Sequence, residues 1–350
     1  MKILVTGHKG YIGTVMVPLL MQAGHEVVGF DSDLYERCLF GEGMASIPEI
    51  KKDIRDAEPA DVQGFDAVIH LAALSNDPLS NLNPDITYDI NHRGTVRLAE
   101  LARQVGVPRF LFSSSCSTYG AAGDDLLTEE AMFNPVTPYG MSKVRAEHGV
   151  AQLANDHFSP TFLRNATAYG VSPRLRCDLV LNDLTGWAIT TGKVVLKSDG
   201  TPWRPLVHIE DIARAFLAVL QAPREVVHNQ AFNVGRTEEN YRISELAEFV
   251  VETVPDCEIA FAPGAGPDKR CYRVDFSKLA ATLPGYQPQW TARKGVVQLY
   301  KAYQQVGLTL EQLEGPKYKR IDQIKQLLSA GRLDQTLRWS ARHMAMATEA

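Results

Sequence analysis

Lys2-Ile3-Leu4-Val5-Thr6-Gly7-His8-Lys9-Gly10-Tyr11-Ile12-Gly13 is the stretch on which the reading of this chain turns. A short apolar run with strand character stops at Gly7 and passes into a helical pattern over Tyr11–Ala23, with Pro18 inside it. In such a strand–loop–helix unit Gly7 permits the tight turn. Gly10 lets backbone approach a pyrophosphate, and Gly13 lets the helix pack close to the strand. The residues between them, Tyr11 and Ile12, sit at a helix start whose unpaired N–H groups suit an anion. The spacing is Gly-x-x-Gly-x-x-Gly, not the commoner Gly-x-Gly-x-x-Gly. A glycine-rich turn with no ligand is the plainer alternative.

Working outward, short β-branched runs alternate with longer helical ones, as in a parallel sheet with crossover helices. Strands are expected at Lys2–Val5, Glu26–Phe30, Ile47–Ile50, Ala67–Leu71, Phe110–Ser113 and Pro160–Asn165. A long helical pattern covers Ile86–Gly106, and Pro138–Asn155 is a helix with Pro138 in its first turn. Beyond about Ala166 the elements shorten. Helices are expected at Leu179–Thr191, Asp211–Gln221, Ile243–Thr253, Gly295–Val306 and Ile321–Leu328, and a strand at Lys193–Lys197. The last helices read as a basic, exposed tail, and Ala262–Pro267 reads as a loop. The pattern is that of the α/β class, a parallel sheet with crossover helices and a change of order beyond about Ala166.

Asp31 ends the second strand about 20 residues past the loop, where an acid accepts hydrogen bonds from an adenosine ribose and repels a 2′-phosphate. That favours NAD over NADP, unless Asp31 is a solvated turn residue like Asp33 beside it. Asp53 with Ile54 suits an adenine edge, or is an ordinary charged loop.

Tyr139 and Lys143 stand four apart on one helix face, downstream of Ser113-Ser114-Ser115-Cys116-Ser117. An ammonium near a phenol favours the phenolate, and a Ser hydroxyl can bond the same oxygen. Chance puts Tyr-x-x-x-Lys on many amphipathic helices; the glycine loop gives this one weight.

The 350 residues exceed one small core, and 45% apolar with 22% charged residues is ordinary for a globular protein. A net charge of −5 offers no footprint for nucleic acid or an anionic membrane. No apolar run nears the ~20 residues that span a bilayer, and no signal peptide is legible. The five cysteines (38, 116, 177, 257, 271) are scattered without a Cys-x-x-Cys pair, which points away from disulfides and metal and toward a reducing, cytoplasmic setting.

With these residues placed, the chain resembles the extended short-chain dehydrogenase/reductase family, in particular its NAD-dependent sugar-nucleotide epimerases and dehydratases. The shared pattern adds Asp53-Ile54-Arg55-Asp56, His70-Leu71-Ala72-Ala73, Asn91-His92-Arg93-Gly94-Thr95, Ser113–Gly120, Tyr139-Gly140-Met141-Ser142-Lys143, Arg204–Ala213 and Phe232-Asn233-Val234-Gly235. The resemblance implies a doubly wound parallel sheet of Rossmann type with a smaller α/β substrate-binding lobe, the dinucleotide domain taking 1–165 plus a returning segment at about 205–235 and the lobe 166–204 and 236–350. It also implies a resident NAD, a nucleoside-diphosphate-sugar substrate and a homodimer. It implies that Ser115 is the hydroxyl partner, Tyr139 the general base, and Lys143 the group that lowers its pKa and holds the nicotinamide ribose. Leu71, Ala72, Ala73 and Ser113 would line the cofactor groove, with Asn91 in support.

The resemblance also separates reactions. Family 4,6-dehydratases carry Asp-Glu after the Ser/Thr; Cys116 and Ser117 stand there here. A C4 epimerase needs no such acid, and is the expected activity. Net 4-ketoreduction or dehydrogenation, C3/C5 epimerisation using Cys116, and a non-catalytic NAD-responsive binding protein are the alternatives. Cys116 is otherwise a small buried thiol. In the lobe, the resemblance assigns Asn182 to the substrate's diphosphate region and Arg204 to a phosphate. Thr167 replaces a frequent Asn, and Arg270 or Arg273 would replace a missing phosphate Arg. Arg174 and Arg176 hold phosphate or are solvated. Ser75-Asn76-Asp77 read sugar groups or form a plain loop.

Overall fold

The computed structural model describes residues 1–41, 43–266 and 271–340. Strands β1 (Lys2–Thr6), β2 (Glu26–Asp31), β3 (Glu49–Lys51), β4 (Ala67–His70), β5 (Arg109–Ser115), β6 (Ser159–Asn165) and β7 (Gln230–Val234) make one sheet. Its order is β7-β6-β5-β4-β1-β2-β3, with every neighbouring pair parallel. The chain winds outward from β1 to β3, crosses to β4 and winds the other way. Such a sheet has a crevice beyond the carboxyl ends of β1 and β4.

Six helices matter for the site: α1 (Gly13–Gln22), α2 (Thr95–Gln104), α3 (Pro138–Ala151), α4 (Val180–Thr191), α5 (Ile209–Gln221) and α6 (Arg320–Ser329). Ile3, Val5, Ile69 and Leu111 pack on one sheet face with Met16 and Leu20 of α1 and Ile212 and Phe216 of α5. Leu4, Val68, Phe110 and Phe112 pack on the other with Leu98 of α2 and Ala146 and Val150 of α3. Consecutive residues of β1 thus face opposite cores, so the whole strand is apolar. Arg109 forks onto the carbonyls of Val219, Leu220 and Ala222, satisfying the carboxyl end of α5. The lobe has its own core, with Leu181 and Leu184 of α4 against Leu246, Val250, Leu299 and Tyr303.

Four expectations need correction. The helix over Ile86–Gly106 is broken into Pro84–Tyr88, a π-helical turn at Asp89–Gly94, and α2. The turn carries buried Asn91, whose side chain reaches across to another loop. Ala262–Gly266 lies in a strand, Glu258–Gly266, parallel to Lys193–Ser198; the register shifts between Phe261 and Gly266, where Pro263 and Gly264 interrupt regular pairing. The first helix starts at Gly13, since Tyr11 and Ile12 belong to the turn before it. The carboxy-terminal helices are only partly exposed: the one over Ala292–Val306 packs in the lobe core through Leu299 and Tyr303, and α6 packs on the main sheet. Ile324, Leu327, Leu333 and Leu337 are buried in the core on the α2 face of the main sheet.

Helix α3 is seated by a buried ion pair. Arg164 of β6 gives Nη2 to Glu147 Oε2 at 2.8 Å and Nε to both carboxylate oxygens at 3.1 Å. Ser114 of β5 donates its hydroxyl to the same carboxylate. Both charged side chains are 7% exposed or less. Truncating Glu147 leaves a cation buried alone, so equilibrium urea unfolding of Glu147→Ala should show a loss of about 3–5 kcal/mol. A loss below about 1 kcal/mol would mean that other contacts seat the helix.

Candidate functional site

One cavity of about 1000 Å³ runs from the glycine loop, past Tyr139, into the lobe. At its first end Gly7 has φ +73°, and a Cβ there would lie 2.7 Å from Ala72 N. A Cβ on Gly13 would lie 2.5 Å from Gly7 O, so the helix start presses directly on the turn. Gly10, Tyr11, Ile12 and Gly13 line the cavity. Among the described residues, the N–H groups of Tyr11 and Ile12 donate to no protein acceptor. Asp31 lies beside them and accepts from Lys9 N at 3.0 Å and Asp33 N at 2.8 Å. Burial raises its carboxyl pKa, and those two donors oppose the rise. Asp53 and Ile54 complete this wall, although Asp53 is gripped by the Arg55 guanidinium at 2.6 and 2.9 Å. Open backbone donors at a helix start, a side-chain-free Gly10 and an acid at the end of β2 fit a dinucleotide such as NAD.

Leu71, Ala72, Ala73 and Ser75 form the cavity floor beyond β4. Two buried side chains hold this loop. His70 Nδ1 meets Thr6 Oγ1 at 2.6 Å, and Nε2 meets Thr95 Oγ1 at 2.8 Å. Thr95 spends its proton on Asn91 O, so Nε2 donates and Nδ1 accepts, which assigns the tautomer. Burial lowers the His70 pKa to about 3, so the ring is neutral. Asn91 does not line the cavity: it accepts from Leu74 N at 2.8 Å, and donates to Leu74 O at 3.0 Å and Ser142 Oγ at 3.1 Å. It braces the floor against α3 instead of touching a ligand.

The reacting end joins β5 to α3. Thr137 caps α3 by accepting from Gly140 N, so Tyr139 falls in the first turn and Lys143 one turn later. Lys143 Nζ donates to Ser113 O at 2.7 Å and lies 5.8 Å from the Tyr139 ring centroid. Burial lowers the lysine pKa to about 7, with Glu147 pulling it back up. Burial also raises the Tyr139 phenol to about 12, and the hydrogen bond from Ser115 opposes this. The protein alone therefore holds a neutral phenol beside a readily shifted ammonium.

Ser115 accepts from Ser117 N at 3.1 Å, and both serines line the cavity. Cys116 does not. Its side chain is completely buried, its thiol donates to Arg164 O at 3.2 Å, and burial pushes its pKa far up. It is withdrawn from any ligand, which removes the basis for chemistry on its sulfur.

In the lobe, Thr167 and Arg204 line the cavity, and Arg204 also donates to Trp203 O. Asn182 does not reach it. Fully buried, it accepts from Gly170 N and donates to Tyr11 Oη at 3.1 Å and Arg176 O at 2.9 Å. It ties the lobe to the glycine loop, as does Tyr11 Oη donating to Gly170 O at 2.6 Å. Arg174 and Arg176 are not solvated: Arg174 pairs with Asp33 and Arg176 with Asp178, both at 2.9 Å, and Arg174, whose Nε and Nη1 keep no partner among the described residues, stands outside the cavity lining. Arg176 also donates to Ser75, and Asn76 to Asp178, which locks the 75–77 loop to the lobe. Arg273 stacks on Trp203 outside the cavity lining, and Arg270 lies outside the described residues. Lys9, Tyr35, Lys319 and Arg320 line the cavity without having been foreseen. Lys9 stood inside the glycine motif and was readable; the other three have no local signature.

The profile of the NAD dependent epimerase/dehydratase family matches residues 3–235. The UDP-glucose 4-epimerase of Mycolicibacterium smegmatis is 31% identical, over 85% of this chain and 96% of its own. MoeE5 in complex with UDP-glucuronic acid and NAD superposes with a TM-score of 0.76 at 26% identity, covering 87% of this chain and all of that one. The UDP-glucuronic acid 4-epimerase from Bacillus cereus, in complex with UDP-glucuronic acid and NAD, gives 0.73 at 26% identity over the same shares.

Asp77, on the cavity wall, is a carboxylate whose field raises the Tyr139 pKa. Removing that charge favours the phenolate. Tyrosinate absorbance, taken as wild type minus Tyr139→Phe, should therefore appear at lower pH in an Asp77→Asn background. An unmoved titration would place Asp77 too far away to act.

Proposed function

Given that the chain belongs to the NAD dependent epimerase/dehydratase family, we propose that it is an NAD-dependent epimerase of a nucleoside-diphosphate sugar, acting at C4. NAD would be held by Gly10, Tyr11, Ile12 and Asp31, and would supply a reversible acceptor for the hydride of the sugar carbon. The chain's own residues handle protons and position. Tyr139 Oη accepts the proton of the reacting hydroxyl and later gives it back. Ser115 shares that oxygen through its hydrogen bond. Lys143 is anchored on Ser113 O; as the phenol loses its proton the ammonium is stabilised in turn, so the two ionisations are coupled. Arg204 supplies a fork for the substrate's diphosphate on the lobe side.

One observation carries the choice of reaction. After Ser115 come a thiol sealed away from the cavity at Cys116 and a residue on the cavity wall, Ser117, that carries a hydroxyl, with no carboxylate at either position. That arrangement serves alcohol oxidation and return, and leaves elimination of water without its acid. A second reading, proton exchange beside the ketone, would have to draw on Asp77 from the facing wall.

Incubation with a panel of nucleotide sugars in deuterated water separates the two. The expected product is a C4 epimer carrying no solvent deuterium; incorporation next to the carbonyl would replace the C4 reading with the second one. Tyr139→Phe should lose at least about 10²-fold in kcat while purifying with as much NAD as the wild type. Retained turnover in that variant would remove the phenol from the mechanism.

A further inference from the structure

The carboxy-terminal segment crosses from the lobe to the adenosine side of the main sheet and is tied there. Trp339 Nε1 donates to Ser32 O at 2.5 Å, Arg55 to Thr336 O at 2.9 Å, Arg332 pairs with Glu36 at 2.8 Å, and Arg338 with Asp56 at 2.9 Å. This strap carries Arg320, at the start of α6, into the cavity wall beside Tyr35. The guanidinium lies 4.3 Å from the Tyr35 ring centroid, and one Nη2–H goes to Arg174 O at 2.7 Å.

One nitrogen of the Arg320 guanidinium is unanswered. The residue is 3% exposed, and its Nη1 is buried with no hydrogen-bond partner among the described residues. The neighbouring Cys38 thiol is too weak an acceptor to stand in for an oxyanion. Both nearby carboxylates are taken, Asp33 by Arg174 and Lys9, and Asp178 by Arg176. A buried cation with an idle N–H is costly unless an anion completes it. The same cavity is lined by Tyr11 and Ile12, whose N–H groups donate to no acceptor among the described residues.

We propose that Arg320 is a diphosphate ligand delivered by the carboxy-terminal strap, gripping the dinucleotide cofactor from the side opposite the glycine loop. Two diphosphates enter this cavity on the reading above, on which this inference rests. Tyr35 follows Asp31 by four residues on the adenosine side, whereas Arg204 stands on the lobe side, so the cofactor is the assigned partner. The strap then fastens the cofactor as well as covering the sheet.

The test uses the full chain stripped of nucleotide, with NAD and UDP as separate titrants in calorimetry. Arg320→Met, which keeps the aliphatic packing, should bind NAD roughly 10- to 100-fold more weakly and UDP as the wild type does, with Arg320→Lys falling between. Unchanged NAD affinity, or weakening confined to UDP, overturns the proposal. A wild type that binds no NAD overturns the cofactor reading itself, and this inference with it. A measurement on the unaltered protein guards against a variant that misfolds: amide hydrogen exchange over 318–330 should slow on adding NAD and not on adding UDP. Equal exchange with and without NAD would also overturn it.

Discussion

The buried pair between Glu147 and Arg164 is the constraint on which the site depends. Glu147 follows Lys143 by one helical turn, so fixing its carboxylate on β6 and Ser114 fixes the helix face that carries the lysine. Lys143 then reaches Ser113 O, and Tyr139, a turn earlier, is held beside Ser115. The same carboxylate raises the lysine pKa against burial. Mechanical seating and electrostatic tuning of the reacting groups come from one interaction. It is also asymmetric, because losing either partner strands the other in a dry core.

A second constraint concerns how the lobe meets the sheet. Tyr11 belongs to the glycine loop, yet its hydroxyl is spent on Gly170 and Asn182 of the lobe. Arg174 and Arg176 spend their charge on Asp33 and Asp178, and Arg176 and Asn76 pin the 75–77 loop. Groups that could have served a substrate thus hold the cavity's shape. The groups on the cavity wall that suit a ligand are sparse: backbone N–H groups at Tyr11 and Ile12, the Ser115–Tyr139–Lys143 set, and the cations Arg204, Lys319 and Arg320. Sparse, aimed polar groups in a large cleft suit ligands whose charge is concentrated in a diphosphate.

Much of this was legible because it is local. The glycine spacing, Asp31 at the end of β2, and Tyr139 one turn before Lys143 depend only on strand and helix periods and short turns. Cys116 was legible as a buried thiol because a small, weakly polar side chain suits a core position; it stands in the 3₁₀ turn just past β5, turned away from the cavity that Ser115 and Ser117 line. Asn182 was misplaced because motif position says nothing of side-chain direction: at the first turn of α4 it faces the glycine loop, not the cavity. The direction of the Asn91 side chain was not legible either, since the π turn that carries it follows no simple helical period. The helix of the strap was expected at Ile321–Leu328, but its docking on the main sheet was not. The strap's apolar residues Ile324, Leu327, Leu333 and Leu337 suggest a buried face without naming the partner surface.

The sequence by itself determined the doubly wound sheet, the dinucleotide loop and the phenol–ammonium pair, because each follows from periodicity and residue type within a few positions. Only the tertiary structure decided which of the arginines are spent and which are open. It also decided that Cys116 is sealed, and that Arg320 arrives at the far wall from nearly the other end of the chain. Burial, pairing and direction are properties of contacts between distant segments, and no spacing along the chain encodes them.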